Sequence, residues 1–220
     1  MAKPHNDRLW ALAHNERANL AEDVSDLSAA QWRNDTLCGQ WRVEDVIAHL
    51  TAAASINQWQ WIRSMLGRAS GQTSTTSAGW TKHRASTSSE TLDRFRAVIM
   101  STVAPSGHLA AYLGEVIVHA QDIRYPLGLS RAPSVDALTL VAHFFARRDF
   151  TVASRTHTAG LRLRADDGPF ATGAGPMVAG STLALVMSMA GRTPYLDQLS
   201  GPGLSTLRTR LYSQRTTNHR

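Results

Sequence analysis

Apolar positions recur every three to four residues over most of the chain, the period of helices that bury one face. Leu9, Ala13, Leu20, Val24 and Leu27 predict a first helix over about residues 6 to 27. Val46, Leu50 and Ala53, widened by Ile47 and Ala54, predict a second over about residues 43 to 66. Glu44 and Asp45 fall in its first turn, where the helix dipole favours negative charge. Thr87 and Glu90 have capping-box spacing and open a third helix. Leu92, Phe95, Val98 and Ile99 form its inner face, and Pro105 ends it. A fourth runs over about residues 109 to 124 and is stopped by Pro126 and Gly128. Ser134 caps a fifth, over about residues 135 to 152, with Leu138, Val141, Phe144 and Phe145 facing inward.

The period changes after Ser154. Residues 160 to 166, GLRLRAD, alternate apolar side chains with arginine, the pattern of a half-buried strand. A glycine-rich turn region follows, then a second strand over residues 177 to 179. An apolar helix over residues 181 to 190 ends at Gly191, and a last helix covers residues 204 to 212. The predicted fold is mainly α: an up-and-down helical bundle over residues 1 to 154, then a small α+β domain over residues 155 to 220. Residues 67 to 89, GRASGQTSTTSAGWTKHRASTSS, have few apolar anchors, Trp80 being the only large one, and read either as a linker or as a loop covering a substrate.

Composition adds limits rather than a function. Hydrophobic residues make up 43% and charged residues 18%, an ordinary globular balance. The formal net charge of +6 invites an anionic partner. However, the basic residues are scattered, with no run of five or more, so neither nucleic acid nor a membrane surface is expected as partner. Cys38 is the one cysteine, which excludes an intrachain disulfide. With no apolar run of the roughly 18 residues needed to span a membrane, and no signal-peptide core, a cytoplasmic protein is expected, as monomer or homodimer.

The chemistry concentrates in GEVIVHAQDIR, residues 114 to 124. Glu115 and His119 stand four apart, which stacks them one turn apart on one helix face. Val116, Ile117, Ala120 and Ile123 beside them turn that helix inward. A buried carboxylate and imidazole need a partner. Two solutions fit the spacing: a Glu–His hydrogen-bonded pair, or a divalent metal, for which these side chains are suitable ligands. A metal needs a third ligand, and His49 in WRVEDVIAHL is the best donor. Asp122, three residues after His119, is a candidate acceptor for its imidazole.

Three stretches together resemble the mycothiol-dependent maleylpyruvate isomerase family, a branch of the DinB-like metal-binding four-helix bundles. They are residues 32 to 50 with WRVEDVIAHL, the EVIVHAQDIR segment, and the C-terminal part from Leu161 to Gly191 and Arg192. The resemblance implies that His49, Glu115 and His119 bind a divalent metal, zinc before others. It implies mycothiol as co-substrate, and a cofactor-binding role for Arg124 and Arg192, whose guanidinium groups suit an anionic group. Arg192 and Asp122 become candidate catalytic residues. Two positions depart from the family pattern: Gln40 precedes Trp41 in place of glycine, and Arg42 follows it in place of a small hydroxyl cap, which leaves the start of the second helix open.

The activity implied is thiol S-transfer, or cis–trans isomerisation of a conjugated double bond, on a small electrophile. A thiol-independent metal enzyme on the same bundle is the alternative, and a non-catalytic small-ligand-binding bundle is a third reading.

Overall fold

The computed structural model describes residues 2–55, 87–105, 107–149 and 152–218. Trp59, Trp61, Trp80 and His83, with most of the Ser/Thr-rich stretch and the far end of the predicted second helix, lie outside the described residues. The chain divides into two compact units, Met1–Arg131 and Ala132–Arg220.

In the first unit, α1 spans Ala2–Asp23, α2 Val43–Ala53, α3 Ser88–Ala97 and α4 Leu109–Leu127. Helix α1 packs on α4 and α3, and α2 packs on α3 and α4, which closes a four-helix bundle. Its core includes Leu9, Ala13, Leu20, Val46, Ile47, Leu50, Phe95, Leu113, Val116 and Ile117. Leu50 is wholly buried, so Leu50→Ala would cost about 2–5 kcal/mol.

The caps explain where these helices begin. Thr87 Oγ1 accepts from the Glu90 N–H at 3.2 Å, as the capping-box spacing predicts. At α2, Arg42 occupies the cap position without a small hydroxyl, and Asp45 compensates: its Oδ2 accepts from the Arg42 N–H at 3.1 Å. The departure from the family pattern therefore leaves the helix start at Val43. Helix α4 runs past its predicted end. Pro126 sits in its last turn, and Gly128, with φ of 67°, takes the left-handed conformation that closes the helix.

The second unit begins with α5, Val135–Arg147, capped by Ser134. The sequence pattern assigns this helix to the bundle; it belongs instead to the C-terminal unit, where it packs on a later helix. Next come α6, Ser154–Thr158, and a four-stranded sheet of β1 Arg162–Ala165, β2 Ala171–Thr172, β3 Met177–Gly180 and β4 Leu199–Ser200, in the order β2-β1-β3-β4. β1 and β3 run parallel with Leu163 opposite Val178, and the edge strands are antiparallel. Helix α7, Thr182–Met189, packs on β1, β3 and α5, and α8, Leu204–Asn218, ends the described chain. The GLRLRAD alternation appears as buried Leu163 and Ala165 between exposed Arg162 and Arg164.

Candidate metal centre

Helix α2 presents His49, and α4 presents Glu115 and His119 one turn apart. Their ligand atoms all lie within 4.8 Å of one another. His49 Nε2 is 2.9 Å from Glu115 Oε1, and the two imidazole rings meet edge to face at 4.9 Å between centroids. Donors about 2 Å from a zinc ion stand roughly 3–4 Å apart, so only a small side-chain adjustment separates this cluster from coordination. The nitrogen, oxygen, nitrogen donor set also suits zinc. The residues present thus fit a divalent metal.

Asp122 completes the arrangement. The His119 Nδ1–H donates to Asp122 Oδ2 at 3.1 Å, and Asp122 is fully buried. With Nδ1 committed to the carboxylate, Nε2 is the nitrogen left to coordinate, the usual relation of a ligand histidine to its acceptor.

The electrostatics favour deprotonated ligands. Burial pushes the Glu115 carboxyl up, but the hydrogen bond and charge of His49, with the charge of His119, outweigh it and leave Glu115 below its ordinary range. Burial holds His119 below the usual imidazole value, opposed by its hydrogen bond to Asp122. Both shifts suit groups that must give up protons to bind a metal.

Arg124 and Arg192 are the remaining predicted residues. Arg124 is corrected: its side chain has no exposure, Nε donates to Asp23 Oδ2 at 2.7 Å and Nη1 donates to Glu16 Oε1. A guanidinium so enclosed ties α1 to α4 and presents no surface to a cofactor. Arg192 lies in the second unit, where its Nη1 donates to the Ala190 carbonyl at 2.8 Å.

Two residues beside the metal cluster escape a reading by periodicity, because they sit in the connector before α2. The Trp41 ring lies 5.1 Å from that of His49 and 5.9 Å from that of His119, stacked on the latter. Cys38, half-buried, is gathered with His119 and Asp122 in a second group of potential ligands. Leu37 N–H donates to the Asp122 carbonyl at 3.1 Å and docks this connector on α4. The sequence signals were that Trp41 opens WRVEDVIAHL and that Cys38 lies three residues before it.

Fold and site together define a DinB-like helical bundle with a candidate metal centre, followed by a small α+β unit. Residues 13–104 match the family model of the mycothiol maleylpyruvate isomerase N-terminal domain. Among solved structures, the chain is similar to the mycothiol-dependent maleylpyruvate isomerase, at 18% identity and a TM-score of 0.56, over 90% of this chain and 92% of that one. A histidine-to-alanine mutant of that protein matches at 18% identity, a TM-score of 0.55 and the same coverage. No curated protein sequence matches. The resemblance read from the sequence is borne out, and so is the fold class.

Proposed function

We propose that the chain is a metal-dependent enzyme that uses a low-molecular-weight thiol, mycothiol, on a small electrophilic substrate, as a cis–trans isomerase or S-transferase. The observation that carries this reading is the convergence of His49, Glu115 and His119 within 4.8 Å, with Asp122 behind His119. The family model matched by residues 13–104 and the described activity of the structural neighbours support it.

His49, Glu115 and His119 would hold a zinc ion or a similar divalent metal, with Asp122 fixing the tautomer of His119. Such an ion, when bound, favours the thiolate form of a nearby thiol, which is only a few per cent ionised at pH 7 on its own. Three protein ligands are the number found in catalytic rather than structural zinc sites. The thiolate adds to one carbon of a conjugated double bond, the bond turns while single, and expulsion of the thiolate restores it. Substrate and product are isomers, and the thiol is regenerated. Arg192 would hold an anionic group of the thiol or substrate.

Calorimetric titration of mycothiol into zinc-loaded protein, in two buffers of different ionisation heat, tests this. Binding with release of about one proton per site is expected. Binding without proton release contradicts thiol activation at the metal. No binding by protein that retains its zinc points to the thiol-independent enzyme.

A further inference from the structure

We propose that Cys38, His119 and Asp122 form a second, sulfur-containing metal site that shares the His119 imidazole with the first set of ligands. The proposal rests on the metal-enzyme reading only through that shared residue.

The Cys38 Sγ, a ring nitrogen of His119 and a carboxylate oxygen of Asp122 all lie within 4.8 Å of one another. Thiolate, imidazole and carboxylate together are a zinc-type donor set, and the sulfur extends the preference to softer ions such as cadmium. The two nitrogens of one imidazole point in divergent directions. Nδ1 already faces Asp122 at 3.1 Å, so the Cys38 set engages Nδ1 and leaves Nε2 to the His49 set. Each group therefore has its own nitrogen.

The position of the sulfur is built into the backbone. Cys38 N–H donates to Thr36 Oγ1 at 3.1 Å, and that hydroxyl donates to the Trp41 carbonyl at 2.8 Å. Trp41 N–H closes the turn on the Cys38 carbonyl at 3.3 Å. One residue before the cysteine, the Leu37 N–H is bonded to the backbone carbonyl of Asp122 itself at 3.1 Å. The turn that carries the thiol is thus tied directly to a residue supplying another ligand, as a preorganised site requires.

Binding at this site displaces one proton from the Cys38 thiol and one from His119 Nδ1, both released to solvent. It also takes the Asp122 oxygen away from the His119 N–H that it now accepts. A second metal equivalent therefore alters the support of a ligand in the first set.

Cobalt(II) titrated into metal-free, full-length protein tests this. Two equivalents should bind, the second bringing the near-ultraviolet absorption of a cobalt–thiolate bond. Cys38→Ser should keep the first equivalent and lose the second together with that band. His49→Ala should lose the first and keep the band. Cadmium(II), whose thiolate complex also absorbs in the ultraviolet, gives the same comparison in wild-type protein. The proposal is overturned if wild-type protein shows no thiolate band with either ion, or if the band survives Cys38→Ser. It is equally overturned if the band arrives with the first equivalent and disappears in His49→Ala, which would place the sulfur on the first ion. Loss of the only equivalent in His49→Ala, with no band at any stage, would leave the first set standing alone. A normal band with both equivalents retained in His49→Ala would instead refute the first set.

Discussion

The His119 Nδ1–H donates to Asp122 Oδ2 across 3.1 Å within one turn of α4, and that carboxylate is sealed from solvent. The acceptor therefore sets the ring's orientation and tautomer before any ion arrives. Asp122→Asn should weaken zinc binding by about 10- to 100-fold, the usual effect of removing such a partner. Chelator competition measures this. An unchanged zinc affinity would mean that Asp122 serves the fold and not the ligand.

Substitution of the ligands themselves should act more strongly. His49→Ala, Glu115→Ala and His119→Ala should each lower the metal content of purified protein while preserving its helical circular dichroism. Elemental analysis of protein prepared without chelators checks this. A wild-type chain that neither carries metal nor takes it up on titration would refute the site.

The enclosure of Arg124 predicts a structural role that substitution can test. Arg124→Ala leaves Glu16 buried without its cation, whereas Asp23 keeps Arg131, whose Nε donates to it at 2.7 Å. A cost of about 3–5 kcal/mol is expected in denaturant unfolding. Adding Glu16→Gln should recover more of this than adding Asp23→Asn. A stable Arg124→Ala variant with impaired mycothiol binding would restore the cofactor role.

Acid should destabilise the metal-free protein in a defined order. His119 and Glu115 both titrate below their ordinary values of 6.5 and 4.5 in the folded chain. The fold thus favours their deprotonated forms. That stability is present above the ordinary values and is lost as pH falls through the folded ones. The Tm of metal-free protein should fall on acidification from neutral pH, and His119→Gln should flatten the early part of the decline. A Tm that rises between about pH 7 and 5 would contradict this.

Arg192→Ala separates thiol binding from metal binding, because the residue is not among the predicted ligands. Mycothiol affinity should drop by about 10- to 100-fold, the worth of a charge-assisted hydrogen bond. Zinc content should stay unchanged. A variant with wild-type thiol affinity would remove Arg192 from the proposed site.

The residues differ in how far the sequence exposed their roles, and the reason is physical. Glu115 and His119 were legible because a four-residue interval on an apolar helix fixes their shared face. His49 was legible as a ligand-type side chain at the edge of another such stripe. The role of Arg124 was not, because its partners Glu16 and Asp23 are 108 and 101 residues away, and only tertiary packing brings α1 against it. The period of the fifth predicted helix showed that one face is buried but not against what, so its assignment to the bundle failed. Cys38 and Trp41 lie in a turn with no repeating pattern, and their place beside the histidines depends on backbone hydrogen bonds that periodicity does not encode.

The contact between His49 and Glu115 joins positions 66 residues apart. Each is held by a helix whose neighbouring side chains are buried, so neither depends on the length of the sequence between them. The entropy of closing such a span changes slowly, by about 0.6 kcal/mol for each doubling. Evolution can therefore lengthen, shorten or rewrite the stretch between α2 and α3 at small thermodynamic cost. A lineage built on this bundle can rewrite that stretch while inheriting the two helices that carry the candidate ligands.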